Sequence, residues 1–241
     1  MSHSQRPRRS QPPSSQTARK PRPHPPKHEP VHLSADIVAE LKATARPGKA
    51  EILVQTFSQA AGAFAADDFE EATRLGEQAK HLALRSAAAR ELLGLTHYRA
   101  GRFQAAAREL AAFKRLSGSQ EQDPVLADCH RAQGRPQRAV EVCDEIDPRA
   151  VPAAVYYEGA IVAAGALGDL GRIDQAIARL EKLELRPPVA QEHHIRAWYA
   201  LGDLLERRGR FHQAMEWFDA AAEADAEATD AAERAARLRS R

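Results

Sequence analysis

The sequence predicts an all-α fold: a solenoid of about five helix-turn-helix repeats with capping helices at both ends. Three observations predict it. Apolar residues recur at helical spacing, a short Gly-Arg motif returns at nearly constant intervals, and aromatic residues make up only 5% of a chain that is 43% hydrophobic. This composition favours closely packed, Ala-rich helices over a bulky globular core.

The clearest repeat lies between Ile195 and Asp225. Its first half carries apolar residues at i, i+3, i+4 and i+7: Trp198, Leu201, Gly202 and Leu205. Its second half carries another apolar face: Phe211, Ala214, Phe218 and Ala221. Gly209 separates the two as a helix-ending glycine does, because glycine accepts φ > 0. Neither face can be buried by one helix pair alone, so the pattern predicts neighbouring copies.

The motif GRFHQA at 209–214 returns as GRIDQA, GRPQRA, GRFQAA and, in degenerate form, DDFEEA. The turns begin at Asp67, Gly101, Gly134, Gly171 and Gly209, with spacings of 34, 33, 37 and 38 residues. A small residue lies seven positions before each turn, and we call it the recurrent small residue: Ala60, Gly94, Ala127, Ala164 and Gly202. A second lies five positions after each turn: Ala72, Ala106, Ala139, Ala176 and Ala214. Small residues at fixed places let helix backbones approach closely.

These features resemble the tetratricopeptide repeat, with its signature W-x2-L-G-x2-Y, then G, then A-x3-F-x2-A. The last copy has Trp198, Leu201, Gly202, Ala214, Phe218 and Ala221 in register, with Leu205 where the motif prefers Tyr. The resemblance covers about residues 50–226, and 124–142 and 161–177 are also similar to small actinobacterial repeat proteins. It implies a right-handed α-α superhelix and a non-enzymatic scaffold that binds proteins.

In this family the first helix of each pair lines the concave surface. The resemblance therefore implies a mixed-charge groove for a protein or peptide partner, formed by Glu91, Tyr98, Arg99, Asp128, Arg131, Glu158, Asp169, Arg196, Tyr199, Asp203 and Arg207. Relatives that clamp a C-terminal carboxylate use Asn and Lys there. The Asn positions here read Ala61, Leu95 and Asp128, which departs from that pattern.

Residues 1–30 form a basic tail with eight prolines and no large aliphatic residue, and we expect this segment to be disordered. Its seven cations are Arg6, Arg8, Arg9, Arg19, Lys20, Arg22 and Lys27. With Glu29 the tail carries +6, and because the whole chain carries +2, the remainder carries −4. An alternative function is therefore an adaptor that contacts RNA, ribosomes or another polyanion through the tail.

Ser34 is the predicted N-cap of a short helix within 31–48, which we expect to cover the exposed start of the array. The array occupies 49–226, and its third repeat is predicted to begin with Asp123 as N-cap and Pro124 at the first helical position. Expected helix pairs are 49–66 with 69–82, 86–99 with 103–116, 153–169 with 173–184, and 192–208 with 211–224. The charged, Ala-rich stretch 227–241 predicts a solvating C-terminal helix.

Other patterns favour packing over chemistry. His193-His194 point about 100° apart on a helix and make a poor chelating pair. His97 and His130 each follow the recurrent small residue by three positions, which favours hydrogen-bonded packing histidines. Gly165-x-x-Gly168-x-x-Gly171 indicates close packing and a turn, since a phosphate loop needs a preceding strand. Arginines after the turn glycines are interpreted as solvated residues that cap the preceding helix: Arg102, Arg135, Arg172 and Arg210.

No nucleophile lies in a recognisable elbow or beside a paired base. Cys129 and Cys143 form no C-x-x-C pair, and reduced packing cysteines are expected. No apolar run reaches the ~18 residues of a membrane span, and the N-terminus lacks the apolar region of a secretory signal. We therefore expect no enzyme activity, no metal, no cofactor and no membrane partner, and a cytoplasmic location.

Overall fold

The computed structural model describes residues 27–227 and 229–240, which form twelve α-helices and no strand. The helices are α1 (Ala35–Thr44), α2 (Ala50–Ala65), α3 (Phe69–Leu82), α4 (Ala87–Arg99), α5 (Phe103–Ser117), α6 (Asp123–Ala132), α7 (Pro136–Asp144), α8 (Ala153–Asp169), α9 (Ile173–Leu180), α10 (Glu192–Arg208), α11 (Phe211–Ala224) and α12 (Ala231–Arg239). Five antiparallel pairs, α2/α3 to α10/α11, make the repeats, so the predicted all-α solenoid is confirmed.

Contacts run between neighbouring elements. Each second helix packs on the first helix of the next pair, and the first helices α4, α6, α8 and α10 also contact one another in sequence. The recurrent small residues permit this approach: a Cβ on Gly202 would lie 2.7 Å from the Phe218 ring, and one on Gly94 2.6 Å from Leu110. Asp67, where the other repeats have glycine, adopts the same left-handed conformation with φ 57°.

The third repeat begins differently from the sequence prediction. Gln122 is the N-cap, and Asp123 is already helical. The Asp123 carboxylate is buried and accepts a hydrogen bond from Lys114 Nζ at 2.8 Å, while Lys114 also reaches Glu145 at 2.8 Å. Burial raises the pKa of Asp123, although Lys114 opposes this rise. An inter-repeat ion pair has therefore replaced the predicted cap.

The arginines that follow the turn glycines also differ from expectation. Each is the N-cap residue of the next helix rather than a cap of the preceding one. Arg102 donates to Thr73 Oγ1 at 3.2 Å, and Arg172 donates to Gln137 Oε1 at 3.3 Å. The turn arginines with these contacts therefore link one repeat to the second helix of the repeat before it.

Helix α1 contacts α2, the first helix of the array, and extends onto the second repeat. Its Ser34 cap is as predicted, with the hydroxyl 3.5 Å from Ile37 N. However, α1 packs across both α2 and α4, and buries Leu41 there, while Ile52 on α2 remains half exposed. Glu40 explains the position: its carboxylate accepts hydrogen bonds from Ser86 Oγ at 2.9 Å and Ala87 N at 2.7 Å, at the start of α4.

The interpretation of His97 and His130 as hydrogen-bonded residues is wrong. The Nδ1 atom of each is buried without a hydrogen-bond partner. Burial lowers the pKa of both imidazoles, and nearby arginines contribute to the effect. In repeats four and five the same position holds Leu167 and Leu205, which are buried apolar residues. The position three residues after the recurrent small residue is therefore a packing site, but the Nδ1 atoms of His97 and His130 form no hydrogen bond there.

We expect His97→Leu to raise the free energy of unfolding by about 1 kcal/mol at pH 7.5, because it removes an unsatisfied buried nitrogen. The folded state depresses the pKa of His97 below its unfolded value of about 6.5. The unfolded state therefore binds more protons as the pH falls below that value, and wild-type stability is lost. Urea unfolding at pH 7.5 and 5.5 should show the advantage of the variant widening at the lower pH. A constant or shrinking difference would contradict this account.

Candidate functional site

The first helices of repeats two to five enclose an open cleft of about 430 Å³. Every lining residue lies on α4, α6, α8 or α10. Eight of the eleven predicted groove residues line it: Tyr98, Asp128, Arg131, Glu158, Arg196, Tyr199, Asp203 and Arg207. A second cavity of about 400 Å³ shares Pro124, Val125, Glu158 and Arg196 with the first and continues toward the starts of α8 and α10.

The cleft has a repeating floor, which we call the inner face. It consists of the residues two, three and six positions before the recurrent small residue of each repeat. In repeats three to five all nine such residues line one of the two cavities: Glu121, Pro124, Val125, Glu158, Ile161, Val162, Arg196, Tyr199 and Ala200. Apolar side chains therefore alternate with charged ones along the array.

Ion pairs cross the cleft from one repeat to the next. Arg131 Nε lies 2.6 Å from Asp169 Oδ2, and Arg196 Nη2 lies 2.8 Å from Glu158 Oε2. Arg207 is 3.8 Å from Asp203 and 3.4 Å from the Gly168 carbonyl oxygen. These side chains are substantially exposed, so the pairs add little stability and their partners are exchangeable.

Glycines on α8 position two of these arginines. A Cβ on Gly165 would lie 3.3 Å from the Arg131 guanidinium, and one on Gly168 would lie 3.0 Å from Arg207 Nη1. Gly171 follows at a turn with φ +73°. The glycine spacing therefore marks close packing and a turn, as predicted, but the groups that approach α8 at these glycines are guanidinium groups.

Two tyrosines are hydrogen-bonded to carboxylates at the two ends of the cleft. Tyr98 donates its hydroxyl to Asp128 Oδ2 at 2.8 Å, and Tyr199 donates to Asp230 Oδ1 at 2.6 Å. Burial and these carboxylates raise the pKa of both phenols. Arg234 of α12 closes the far end: its guanidinium reaches Asp203 at 2.8 Å and lies 4.4 Å from the centre of the Phe218 ring.

Carboxylates predominate at the start of α8 and α10. Glu121 and Glu192 join Glu158 in the second cavity, and the described residues give neither of them an ion pair. Burial raises the pKa of Glu158, although Arg196 opposes this, so the carboxylate is incompletely compensated. Sequence reasoning missed Glu121 and Glu192, yet Glu121 lies six positions before Ala127, just as Glu158 lies six before Ala164.

Three predicted groove residues do not line the cleft. Glu91 accepts a hydrogen bond from Gln122 Nε2 at 2.8 Å, and burial raises its pKa. Arg99 pairs with Asp67 at 2.9 Å and lies over the rings of Phe64 and Phe69. Asp169, at the end of α8, pairs with Arg131 but is not one of the residues that line the cleft.

The paired histidines act within the fold. His194 Nδ1 accepts a hydrogen bond from Gln191 N at 3.1 Å, as part of the N-terminal capping box of α10. The rings of His193 and His194 meet Tyr157 edge-on. Among residues 27–227 and 229–240, no group of three or more His, Cys, Asp or Glu side chains is placed to hold a metal ion. Within these same ranges, no helix is both long and apolar enough to cross a membrane.

The basic tail lies almost wholly outside the described residues. Lys27 alone of its seven cations is described, and its side chain is exposed. The structure thus begins beside Asp68, whose Oδ2 is 2.9 Å from His28 Nε2. Disorder of the tail and its contact with polyanions remain predictions.

Residues 162–229 match the family model of the tetratricopeptide repeat. No curated protein matches the chain. Solved structures share the fold at low identity. TTC0263, a thermophilic TPR protein of Thermus thermophilus, is 19% identical with a TM-score of 0.57, and the match covers 78% of this chain and 100% of that one. Pseudomonas aeruginosa pilF is 15% identical with a TM-score of 0.62, covering 80% and 85%.

YrrB, described as a TPR protein with an unusual peptide-binding site, is 16% identical with a TM-score of 0.55, and the match covers 78% of this chain and 92% of that one. The helix pairs and their stacking define the class, an α-solenoid. Within that class, the chain has the tetratricopeptide repeat fold, as its sequence resemblance implied.

Proposed function

We propose that this protein is a non-enzymatic scaffold that binds a protein or peptide along the inner face of repeats three to five. The observation that carries the proposal is the cleft itself. Helices α6, α8 and α10 contribute apolar floor positions and six charged side chains to one open surface: Asp128, Arg131, Glu158, Arg196, Asp203 and Arg207. A cytoplasmic location remains a prediction attached to this proposal.

The physical character of the cleft supports a polypeptide ligand. Its charges of both signs lie on α6, α8 and α10 and are already paired through exposed contacts, so a charged chain can exchange with those pairs at small energetic cost. Its apolar floor supplies area for side chains between them. The peptide-binding site named for YrrB, which shares the fold, adds support by analogy only.

We expect Arg196→Glu together with Arg207→Glu to abolish capture of the partner, because each change places a carboxylate beside Glu158 or Asp203 and reverses the charge offered to a ligand. A photo-crosslinking residue in place of Ala200, on the floor of the cleft, should yield a protein adduct in the wild-type background. The double variant should lose that adduct and keep its helical circular dichroism.

Arg208→Glu is the matched control, since Arg208 adjoins Arg207 but pairs with Asp174 outside the cleft at 2.7 Å. It should leave the adduct unchanged. A crosslinker at His212, an exposed residue of α11, should give no adduct. If the double variant retained the Ala200 adduct, the inner face would not be the binding surface.

A further inference from the structure

The N-terminal segment of this chain already occupies the inner face of repeats one and two. Residues 28–33 run along α2, where Val31 N donates to the Ser58 carbonyl oxygen at 3.2 Å and Ser58 Oγ donates to the Val31 carbonyl oxygen at 2.6 Å. The Glu29 carbonyl lies so close to Gly62 that any Cβ there would clash with it. Helix α1 then crosses α2 and α4.

The inner-face positions that this segment covers in repeats one and two line the open cavities in repeats three to five. Ser58 lies two positions before Ala60, as Val162 lies two before Ala164 and Ala200 two before Gly202. Inner-face residues Val54, Phe57, Ala88 and Leu92 belong to the apolar cluster around Leu41, together with Leu33 and Ile37. Their counterparts in repeats four and five are Glu158, Ile161, Tyr199, Arg196 and Ala200, which line the cavities.

The occupant of repeats one and two is a short non-helical segment, residues 28–33, followed by helix α1. Ile37 and Leu41, four apart, lie on one face of α1, and Leu33 just before the helix packs in the same apolar cluster. The open cleft offers the same repeat geometry and a similar apolar floor. It differs in charge, because Glu121, Glu158 and Arg196 lie where the covered part has Val54 and Ala88, and Glu192 adds a further carboxylate at that end of the cleft.

Resting on the proposed function, we propose that the open cleft binds an amphipathic helix with one basic flank, docked on repeats three to five as α1 docks on repeats one and two. Apolar side chains spaced by four residues contact Val125, Ile161 and Ala200. Lysine or arginine side chains on the flank of the helix pair with Glu121 and Glu192, which lack ion pairs in the described structure, and with Glu158.

Three labelled peptides test the proposal with the full chain by fluorescence anisotropy. The native probe is residues 31–45, VHLSADIVAELKATA. The basic probe carries Asp36→Lys and Glu40→Lys, and the polar probe adds Ile37→Ser and Leu41→Ser to the basic one. We expect the basic probe to bind, the native probe to bind at least tenfold more weakly, and the polar probe not to bind.

The variant Glu121→Lys/Glu192→Lys should weaken binding of the basic probe about tenfold, as expected for the loss of two exposed ion pairs with added repulsion. Both residues are exposed, so folding should persist. Glu181→Lys/Glu227→Lys makes the same charge change at exposed sites outside the cleft and should leave the affinity unchanged. If both double variants weakened binding of the basic probe equally, the proposed ion pairs of Glu121 and Glu192 with the ligand would be wrong.

Other outcomes separate this proposal from the function on which it rests. If the basic probe fails to bind while the Ala200 adduct still depends on Arg196 and Arg207, the cleft binds a protein but the helical ligand class is wrong. Tighter binding of the native probe would indicate pairing between copies of this chain, and would overturn the basic character of the ligand. If the polar probe bound as tightly as the basic probe, the proposed contacts of apolar ligand side chains with the floor of the cleft would be wrong.

Discussion

Trp198→Ala is expected to lower the free energy of unfolding by about 3–5 kcal/mol, the usual cost of truncating a buried aromatic residue. Trp198 is only 8% exposed, and its indole Nε1 donates to the Leu185 carbonyl oxygen at 2.9 Å. Its ring also neighbours Trp217 at 6.4 Å. The substitution therefore removes contacts that join α10 to the preceding loop and to α11.

Segment-resolved hydrogen exchange measures where this loss falls. Because each repeat contacts only its neighbours, protection should fall mainly in repeats four and five and in α12, while α2 and α3 keep theirs. Trp217→Ala is a useful comparison, since Trp217 is only partly buried and should cost less. A uniform loss of protection from residue 50 onward would contradict a quasi-one-dimensional array.

Glu109→Ala is expected to cost on the order of 3 kcal/mol, because it leaves buried cations without their shared anion. The Glu109 side chain is 1% exposed and meets Arg90 at 2.6 Å, Lys80 at 3.3 Å and Arg108 at 3.1 Å. Burial acts to raise the pKa of Glu109, but Arg90 and Lys80 outweigh it and lower the pKa. The carboxylate thus ties α5 to α3 and α4.

The matched control is Glu141→Ala, which breaks an exposed pair with Arg138 within α7 and should change stability by less than about 0.5 kcal/mol. Urea unfolding of both variants at pH 7 gives the comparison. For the wild type, the stabilisation from Glu109 is present above its unfolded pKa and is lost as the pH falls through its lower folded pKa. If Glu109→Ala and Glu141→Ala lowered the free energy of unfolding equally, the buried ion-pair cluster would stabilise the protein no more than an exposed pair does.

Most of the fold could be predicted because repetition multiplies a weak signal. The recurrent small residues and turn positions recur five times, and predicted helix bounds such as 192–208 and 211–224 match those of the structure. Features that occur once could not be predicted. Asp123 resembled a cap because its partner Lys114 lies on another helix, and the counterparts of Glu109 in neighbouring repeats are unlike it: Leu75, Val142, Arg179 and Trp217.

The site was harder to predict than the fold. The register of the family motif identified eight residues that line one cleft, because helix periodicity determines which side of each first helix they occupy. It misplaced Arg99, whose guanidinium is drawn to Asp67 and two phenylalanine rings at the adjacent turn. It also gave no sign that residues 28–44 would cover the first two inner faces, because a short helix after a proline-rich segment carries no register with the repeats.

The bridge made by α1 has a mechanical consequence. Through buried Leu41 and the hydrogen bonds of Glu40 to Ser86 and Ala87, α1 fastens repeat one to repeat two on the inside of the curve. Beyond it, successive first helices pack on one another directly, and exposed pairs such as Arg131–Asp169 and Arg196–Glu158 add to that contact. We therefore expect α1 to restrain the relative motion of repeats one and two, so that a change of curvature in this part of the array requires α1 to detach from Ser86 and Ala87.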